Sequence, residues 1–301
     1  SPGMMIAGSI LLGRALAPLD LIINSWSGFN NARSSRKRLI DLLTVIPANE
    51  RNMPLPAVKG RITIENLAVA PPGSRKPVIQ GVNIVVEPGE QIGIVGPSAA
   101  GKSTLARALL GIWRPAAGAV RIDGAEIQHY NADELGPSIG YLPQDIELFS
   151  GTVSENIARF GEVDPDQVVV AAQKAGVHEM ILRLPEAYDT VIGVDSGALS
   201  GGQRQRIGLA RALYGSPRVI MLDEPNSNLD EQGELALGNT MQILKQEKAT
   251  VFIISHRTAV LRHIDKLLVM KEGQVQMFGP RDQVMAELAK QAQQKAIKKP
   301  G

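Results

Sequence analysis

The feature that most constrains this chain is a nine-residue loop, GPSAAGKST, at residues 96–104. It fits the pattern GxxxxGK[ST], in which backbone N–H groups surround a phosphate and a lysine reaches the β- and γ-phosphates of a nucleotide. The apolar run QIGIVG before the loop predicts a strand, and KSTLARALLG after it predicts a helix that stops at Gly111. Strand, glycine loop and helix are the context that the pattern requires. The sequence therefore predicts an α/β fold that binds a nucleoside triphosphate.

The loop supplies the first candidate site residues. Lys102 is expected to contact the phosphates, and the hydroxyl of Ser103 is expected to bind Mg²⁺. The N-terminus of the following helix adds its dipole to the same site. The predicted nucleotide-binding residues of this loop are Gly96, Pro97, Ser98, Ala99, Ala100, Gly101, Lys102, Ser103 and Thr104.

Two adjacent carboxylates follow a second apolar run, VIMLDEP. A nucleotide site needs an acidic group for the metal at the end of a strand beside the phosphate loop, which Asp223 provides. Glu224, the next residue, can orient or deprotonate an attacking water. His256 ends another apolar run, TVFIISH, and we expect it on the same sheet edge, where ligands of α/β folds collect.

The stretch LSGGQRQR, residues 199–206, contains no nucleophile. Ser200 is expected to cap a helix whose free N–H groups point outward, which is a second anion site. Taken alone, the stretch is equally typical of a helix N-cap followed by flexible glycines.

Six segments together resemble the nucleotide-binding domains of ABC transporters. These are GPSAAGKST, the glutamine Gln144 in YLPQD, LSGGQ, VIMLDEP, SNLD at residues 227–230 and IISH, in the order and spacing of that family. The resemblance covers about residues 61–283. It implies an ABC cassette with a mixed sheet core, an antiparallel β subdomain and a helical subdomain that carries the signature LSGGQ. It also implies ATP and Mg²⁺ as cofactors and ATP hydrolysis as the activity.

The resemblance also assigns roles to residues. In that family two cassettes face each other head to tail, so Ser200 and Gly202 of one subunit are expected to contact the γ-phosphate held by the other, as a homodimer. Glu224, His256, Lys102 and Gln144 are the catalytic candidates, and Ser103, Gln144 and Asp223 the metal candidates. Gln144 is also expected to link the site to a membrane domain, and Asp230 to lie at the dimer interface. The signature candidates are Ser200, Gly201, Gly202 and Gln203.

The N-terminal segment predicts a membrane anchor. Residues 4–26 are largely apolar, and the basic run ARSSRKR at residues 32–38 follows, as expected on the cytosolic side. An amphipathic surface helix is the alternative. The chain has no initiator methionine, and we expect it to be a fragment of a longer protein. The predicted domains are 1–44, a partial membrane domain; 45–60, a proline-spaced linker; 61–285, the cassette; and 286–301, a basic tail.

The segments GRALAPLD and INSWSGFNNARSSRKRL resemble the last membrane helix and cytosolic extension of bacterial type I secretion exporters, in the branch that exports proteases and lipases. This implies location in the inner membrane with the cassette on the cytoplasmic side. It also implies a periplasmic adaptor, an outer-membrane channel and a secreted protein substrate. A lipid or peptide exporter is the alternative. A soluble ABC ATPase acting on nucleic acid or ribosomes is a weaker one, and we expect no nucleic acid partner, since the formal charge is only +2.

The chain departs from the pattern of this family at two places. Many exporter cassettes stack adenine on an aromatic side chain near the position of Pro71, but residues 61–79 contain no Phe, Tyr or Trp. Val194 and Asp195 stand where exporters usually carry a glutamate before the signature. Neither departure touches the catalytic or metal candidates, so we expect ATP hydrolysis to be retained.

Overall fold

The structure is a computed structural model, and it describes residues 2–45, 56–74, 76–193, 199–257 and 260–297. The chain divides into two compact units, residues 1–52 and residues 53–301. Each unit is described by itself below.

The described part of the first unit is a single helix, α1, Pro2–Val45. It continues through Pro18, although a proline inside a helix removes one backbone hydrogen bond. Its side chains from residue 2 to residue 44 are all exposed, including Leu11, Ile23 and Trp26. By length and composition, Pro2–Thr44 is apolar enough to cross a membrane. An apolar helix with no buried face needs a surface outside this chain to cover it.

The second unit holds all the described strands and the other helices. Its strands are β1 (Ile62–Val69), β2 (Ile79–Val86), β3 (Gln91–Val95), β4 (Ala117–Ile122), β5 (Ala125–Glu126), β6 (Ile139–Leu142), β7 (Gly151–Thr152), β8 (Val191–Ile192), β9 (Val219–Asp223), β10 (Thr250–Ile254), β11 (Lys266–Lys271) and β12 (Gln274–Pro280). Its helices are α2 (Lys102–Leu109), α3 (Ala132–Leu135), α4 (Val153–Ile157), α5 (Pro165–Lys174), α6 (His178–Leu182), α7 (Gly201–Leu213), α8 (Glu231–Gln246) and α9 (Arg281–Ile297).

A six-stranded mixed sheet forms the centre, in the order β12-β11-β3-β10-β9-β6. The five strands from β11 to β6 run parallel to one another, and the edge strand β12 pairs antiparallel with β11. Every residue of β9 and β10 is buried, as expected for strands covered on both faces. Glu272 and Gly273, which both have positive φ, form the hairpin turn between β11 and β12.

A second, antiparallel sheet has the order β2-β1-β4-β5, and its inward side chains share one hydrophobic core with α2. A second core lies under the helices α4 to α8 and the other face of the central sheet. The predicted fold class is therefore confirmed: a mixed sheet, an antiparallel subdomain and a helical region, preceded in the chain by an apolar helix.

Candidate functional site

The carboxyl ends of three neighbouring parallel strands bring the candidate residues together. β3 ends at Val95 and continues into the phosphate loop, β9 ends at Asp223, and β10 ends two residues before His256. Because β10 lies between β3 and β9, all three strand ends meet at one edge of the sheet. The predicted placement of His256 on this edge is thus confirmed.

Glycines shape the phosphate loop at two positions. A Cβ on Gly96 would lie 2.2 Å from the carbonyl oxygen of Met270, and a Cβ on Gly101 would lie 2.5 Å from Cγ2 of Ile79. Gly101 also has φ of +94°, a left-handed conformation at the N-cap of α2. Ala99 has φ of 60°, so this alanine adopts a conformation that favours glycine. The loop therefore has its curled shape, with its backbone N–H groups at the start of a helix.

Lys102, on the first turn of α2, is directed back over the loop. Its Nζ donates hydrogen bonds to the carbonyl oxygens of Gly96, at 2.8 Å, and Pro97, at 3.0 Å. The side chain is largely buried. The ammonium group is therefore held above the concave side of the loop, where the β- and γ-phosphates of a nucleotide are expected.

Asp223 is the buried acid of the site, only 3% exposed. Burial raises the pKa of this carboxyl, and the neighbouring charge of Glu224 raises it further. A hydrogen bond with Ser103 and the positive charges of Arg107 and Lys102 lower the pKa in opposition. The Ser103 hydroxyl and the Asp223 carboxylate thus lie together, and both are oxygen groups of the type that Mg²⁺ prefers as ligands.

Glu224 follows in a strained backbone conformation, with φ of 51°. Its N–H donates to the carbonyl oxygen of Ile254 at 2.9 Å, which ties this turn to the end of β10. Nε2 of Gln144 lies 3.5 Å from Oε2 of Glu224, and Nε2 of His256 lies 3.7 Å from Oε1. The structure therefore brings two catalytic candidates, Gln144 and His256, to the carboxylate of a third, Glu224.

The signature residues begin α7, and the predicted N-cap is confirmed. Oγ of Ser200 accepts a hydrogen bond from the N–H of Gln203 at 3.2 Å, and the N–H of Ser200 donates to Oε1 of Gln203 at 2.8 Å. Among the described residues, this reciprocal capping box uses the N–H groups of Ser200 and Gln203 and does not use those of Gly201 and Gly202, which suit an anion. Ser200 is exposed, so this helix end is open to a second molecule.

Asp230 caps a different helix. Its Oδ1 accepts a hydrogen bond from the N–H of Gly233 at 2.9 Å at the start of α8. The residue is exposed, which leaves its second oxygen available to a partner. Asp230 is therefore bound into its own chain, and its contact with a second subunit stays a prediction.

Gln205 is a residue near the site that sequence reasoning missed. It lies on α7 and is 2% exposed. The available signal is a polar side chain on a helix face otherwise formed by Gly208, Leu209 and Ala212. The sequence pattern of the stretch is dominated by its two glycines, which give no indication of a role for its second glutamine. Val194, Asp195 and Arg75 lie outside the described residues.

A groove of about 900 Å³ lies next to the signature region. Residues 146–150, which follow Gln144, form one wall, and residues 184–186 and 190–193 form the other. Phe149 in the first wall is 58% exposed, and Val191 in the second is 55% exposed. An exposed apolar surface of this kind marks an interaction site.

Comparison with known proteins agrees with this geometry. Residues 79–227 match the family model described as ABC transporter, and this range includes the phosphate loop, the signature and Glu224. The chain carries an ABC transporter cassette. The cassette is an ATP-binding and ATP-hydrolysing domain.

Two similar proteins have names that state a role in secretion or translocation. The chain is 48% identical over 294 residues to the type I secretion system ATP-binding protein PrsD of Rhizobium meliloti, covering 97% of this chain and 50% of the relative. It is 35% identical to the toxin RTX-I translocation ATP-binding protein of Actinobacillus pleuropneumoniae, covering 95% of this chain and 41% of the relative. The chain spans about half the length, or less, of these relatives.

A solved structure is similar over the full length of the chain. It is that of a bacterial Atm1-family ABC exporter with ATP bound, with a TM-score of 0.79 and 28% identity. The match covers 100% of this chain and 53% of that one. The similarity includes the N-terminal helix as well as the cassette.

Proposed function

We propose that this chain is the ATP-hydrolysing part of a homodimeric exporter that secretes a protein across the bacterial inner membrane. The observation that supports this most is the 48% identity, over 97% of the chain, to a type I secretion ATP-binding protein. The toxin translocation relative supports a protein as the exported substrate. The cassette would lie on the cytoplasmic side, where ATP is available.

The residues present fit Mg-ATP. No group of three His, Cys, Asp or Glu residues that would hold a metal alone occurs in the described part of the chain. One carboxylate plus a hydroxyl, completed by phosphate oxygens, is the usual protein site for Mg²⁺. Asp223, Ser103 and Gln144 would hold the ion, and the loop from Gly96 to Thr104 would hold the phosphates. The ion would supply charge neutralisation at the transferred phosphoryl group.

Glu224 is the proposed catalytic base. Its carboxylate oxygens face Gln144 and His256, so the side chain is directed into the space at the sheet edge rather than into the core. There it would orient the attacking water and accept its proton. His256 would contact the γ-phosphate from the adjacent strand end.

The signature of each subunit would complete the site of the other. The exposed N-terminus of α7 is capped by its own Ser200–Gln203 pair and retains free N–H groups that suit a phosphate. Asp230 would lie at the same interface. Two cassettes arranged head to tail then form two equivalent ATP sites.

A membrane domain of the same protein would join the cassette in two ways. The apolar helix α1 would be the end of its last membrane helix, and the groove lined by residues 146–150 and 184–193 would receive a cytosolic segment of that domain. A periplasmic adaptor and an outer-membrane channel would complete the export path. The boundaries 1–44, 45–60, 61–285 and 286–301 are part of this proposal.

Sedimentation of the Glu224→Gln variant in detergent, with and without Mg-ATP and across protein concentration, tests the shared site. We expect ATP-dependent dimers, since removal of the base leaves ATP bound and uncleaved between the cassettes. The specific ATPase activity of the wild-type chain should rise with protein concentration. Glu179→Gln is the matched control, because this exposed carboxylate lies on α6, outside the site. A wild-type monomer that hydrolyses ATP at a constant specific rate would overturn the shared site.

A further inference from the structure

Gln205 connects the signature helix to the turn that follows β9 in the same chain. Its Nε2 donates to the carbonyl oxygen of Glu224 at 3.0 Å and to Oγ of Ser227 at 3.2 Å. Its Oε1 accepts from the N–H of Asn228 at 2.9 Å. Every polar atom of this buried amide is therefore engaged with residues 224–228, and none with its own helix.

These bonds stabilise a backbone conformation at Glu224 that is intrinsically unfavourable. Glu224 has φ of 51°, in the left-handed region that is unfavourable for a residue with a side chain. Its N–H donates to Ile254 on β10, and its carbonyl oxygen accepts from Gln205 on α7 as well as from the N–H of Ser227 within the turn. The main chain on both sides of the Glu224 side chain is thus held by two different elements. Since the Cα–Cβ direction follows from φ and ψ, both bonds aim the carboxylate.

The other end of the same connection is the signature. Ser200 and Gln205 are five residues apart on one helix, about 7.5 Å along its axis. The backbone of the signature also contacts the same turn, since a Cβ on Gly202 would lie 2.8 Å from the carbonyl oxygen of Asn228. A movement of the start of α7 therefore acts on residues 224–228 directly.

We propose that Gln205 is a positioning residue that couples Glu224 to the signature helix of its own subunit. In the dimer proposed above, on which this inference rests, the signature contacts the nucleotide of the partner. Gln205 then relays the engagement of one ATP site to the base of the other. It touches no substrate atom and acts through the Glu224 carbonyl.

The test compares two buried glutamines in the full 301-residue chain in detergent. Gln205→Met keeps the length of the side chain and removes its hydrogen bonds. Gln91→Met is the matched control, because Gln91 is 1% exposed, its Nε2 donates to the carbonyl oxygen of Met241 at 2.7 Å, and it begins β3 at the end opposite the phosphate loop. We expect kcat of Gln205→Met to fall about tenfold to a hundredfold, as for a misplaced catalytic group, with KM for ATP within about threefold of the wild type. Gln91→Met is expected to keep kcat.

Two further measurements separate positioning from loss of fold. Gln205→Glu retains the acceptor for Asn228 and removes the donor to Glu224 and Ser227, so its kcat should fall as far as that of Gln205→Met. Amide hydrogen exchange at residues 224–228 should accelerate in Gln205→Met and stay at the wild-type rate in Gln91→Met.

A Gln205→Met protein with wild-type kcat, whether or not its KM is raised, overturns the inference. The proposed function is not overturned by that result as long as the wild-type chain hydrolyses ATP. Absence of ATP turnover in the wild type would overturn the proposed function and this inference with it.

Discussion

At the scale of single residues, the charge state of Asp223 is the sharpest prediction. Burial raises the pKa of this carboxyl above its usual 3.8, so the folded chain binds its proton more tightly than the unfolded chain. The stability contributed by this proton is fully present below pH 3.8 and is lost as the pH rises through the raised pKa. Without Mg-ATP, the ionised Asp223 therefore costs free energy of folding at neutral pH.

We expect Asp223→Asn to raise the unfolding temperature of the nucleotide-free chain at pH 8 by a few degrees, on the order of the shift that 1 kcal/mol gives a domain of this size. The gain should shrink as the pH falls toward the raised pKa, because the wild-type carboxyl then increasingly binds its proton. ATPase activity should fall at least about a hundredfold, since the metal ligand is lost. Thermal unfolding between pH 4.5 and pH 8 checks this, with Glu179→Gln as the control. An unfolding temperature at pH 8 below that of the wild type would contradict it.

Lys102, Ser103 and Asp223 could be named as candidates from the sequence because the chemistry of a phosphate site determines the residue types. A phosphate loop requires Lys102 and Ser103 in fixed order, and the end of a buried strand requires an acid for the metal. The left-handed backbone of Glu224 and the three bonds of Gln205 could not be predicted in this way. They depend on how α7 packs against the turn after β9, and that contact joins segments about twenty residues apart.

At the scale of elements, the two signature glycines meet different surroundings. A Cβ on Gly201 would lie 3.6 Å from Cγ of Asn228, an ordinary contact, whereas a Cβ on Gly202 would lie 2.8 Å from the backbone oxygen of the same residue. Both glycines lie in the first turn of α7, where alanine gains up to about 1 kcal/mol in helix propensity. The close approach of the helix to the Asn228 backbone therefore requires glycine only at 202.

We expect Gly201→Ala to keep or raise the free energy of unfolding. Gly202→Ala should lower it by about 1–3 kcal/mol. The two variants control for each other, because both add one methyl group to the same helical turn. Urea unfolding of each variant without nucleotide is the measurement. Equal stability of the two variants would show that α7 moves away from Asn228 at no cost, and would also weaken the coupling proposed for Gln205.

Helix boundaries could be predicted where capping residues and glycines occur. The helix after the phosphate loop ends before Gly111, and Ser200 is the N-cap of α7, both as predicted. The capping role of Asp230 was not predicted, because the resemblance gave it a role in a partner contact and left its own helix unconsidered. A single acidic residue before a helix serves both purposes without conflict, since one oxygen is enough for the cap.

At the scale of the whole molecule, helix α1 decides whether the chain is anchored. From Met4 to Trp26 the helix rises about 33 Å, close to the thickness of the hydrocarbon core of a bilayer. Trp26 stacks on Phe29 with ring centroids 5.9 Å apart, and the basic residues 33–38 follow. An aromatic pair followed by a basic cluster is typical of the cytosolic membrane interface. Trp26 is therefore expected at the level of the lipid headgroups.

The chain contains two tryptophans, so Trp113→Phe leaves Trp26 as the only one. In vesicles of lipids brominated at different depths, we expect bromine near the headgroups to quench Trp26 most strongly and bromine at the bilayer centre to quench it least. The complementary variant, Trp26→Phe, leaves Trp113 on the cassette and should be quenched by neither.

A helix lying flat on the membrane surface would also hold Trp26 near the headgroups. A second variant, Leu11→Trp in the Trp26→Phe, Trp113→Phe background, therefore decides between a spanning helix and a surface helix. Strong quenching of this tryptophan by bromine at the bilayer centre is expected for a spanning helix, because position 11 is about 22 Å from position 26 along the axis. Quenching of both positions only near the headgroups would instead mean that α1 lies on the membrane surface.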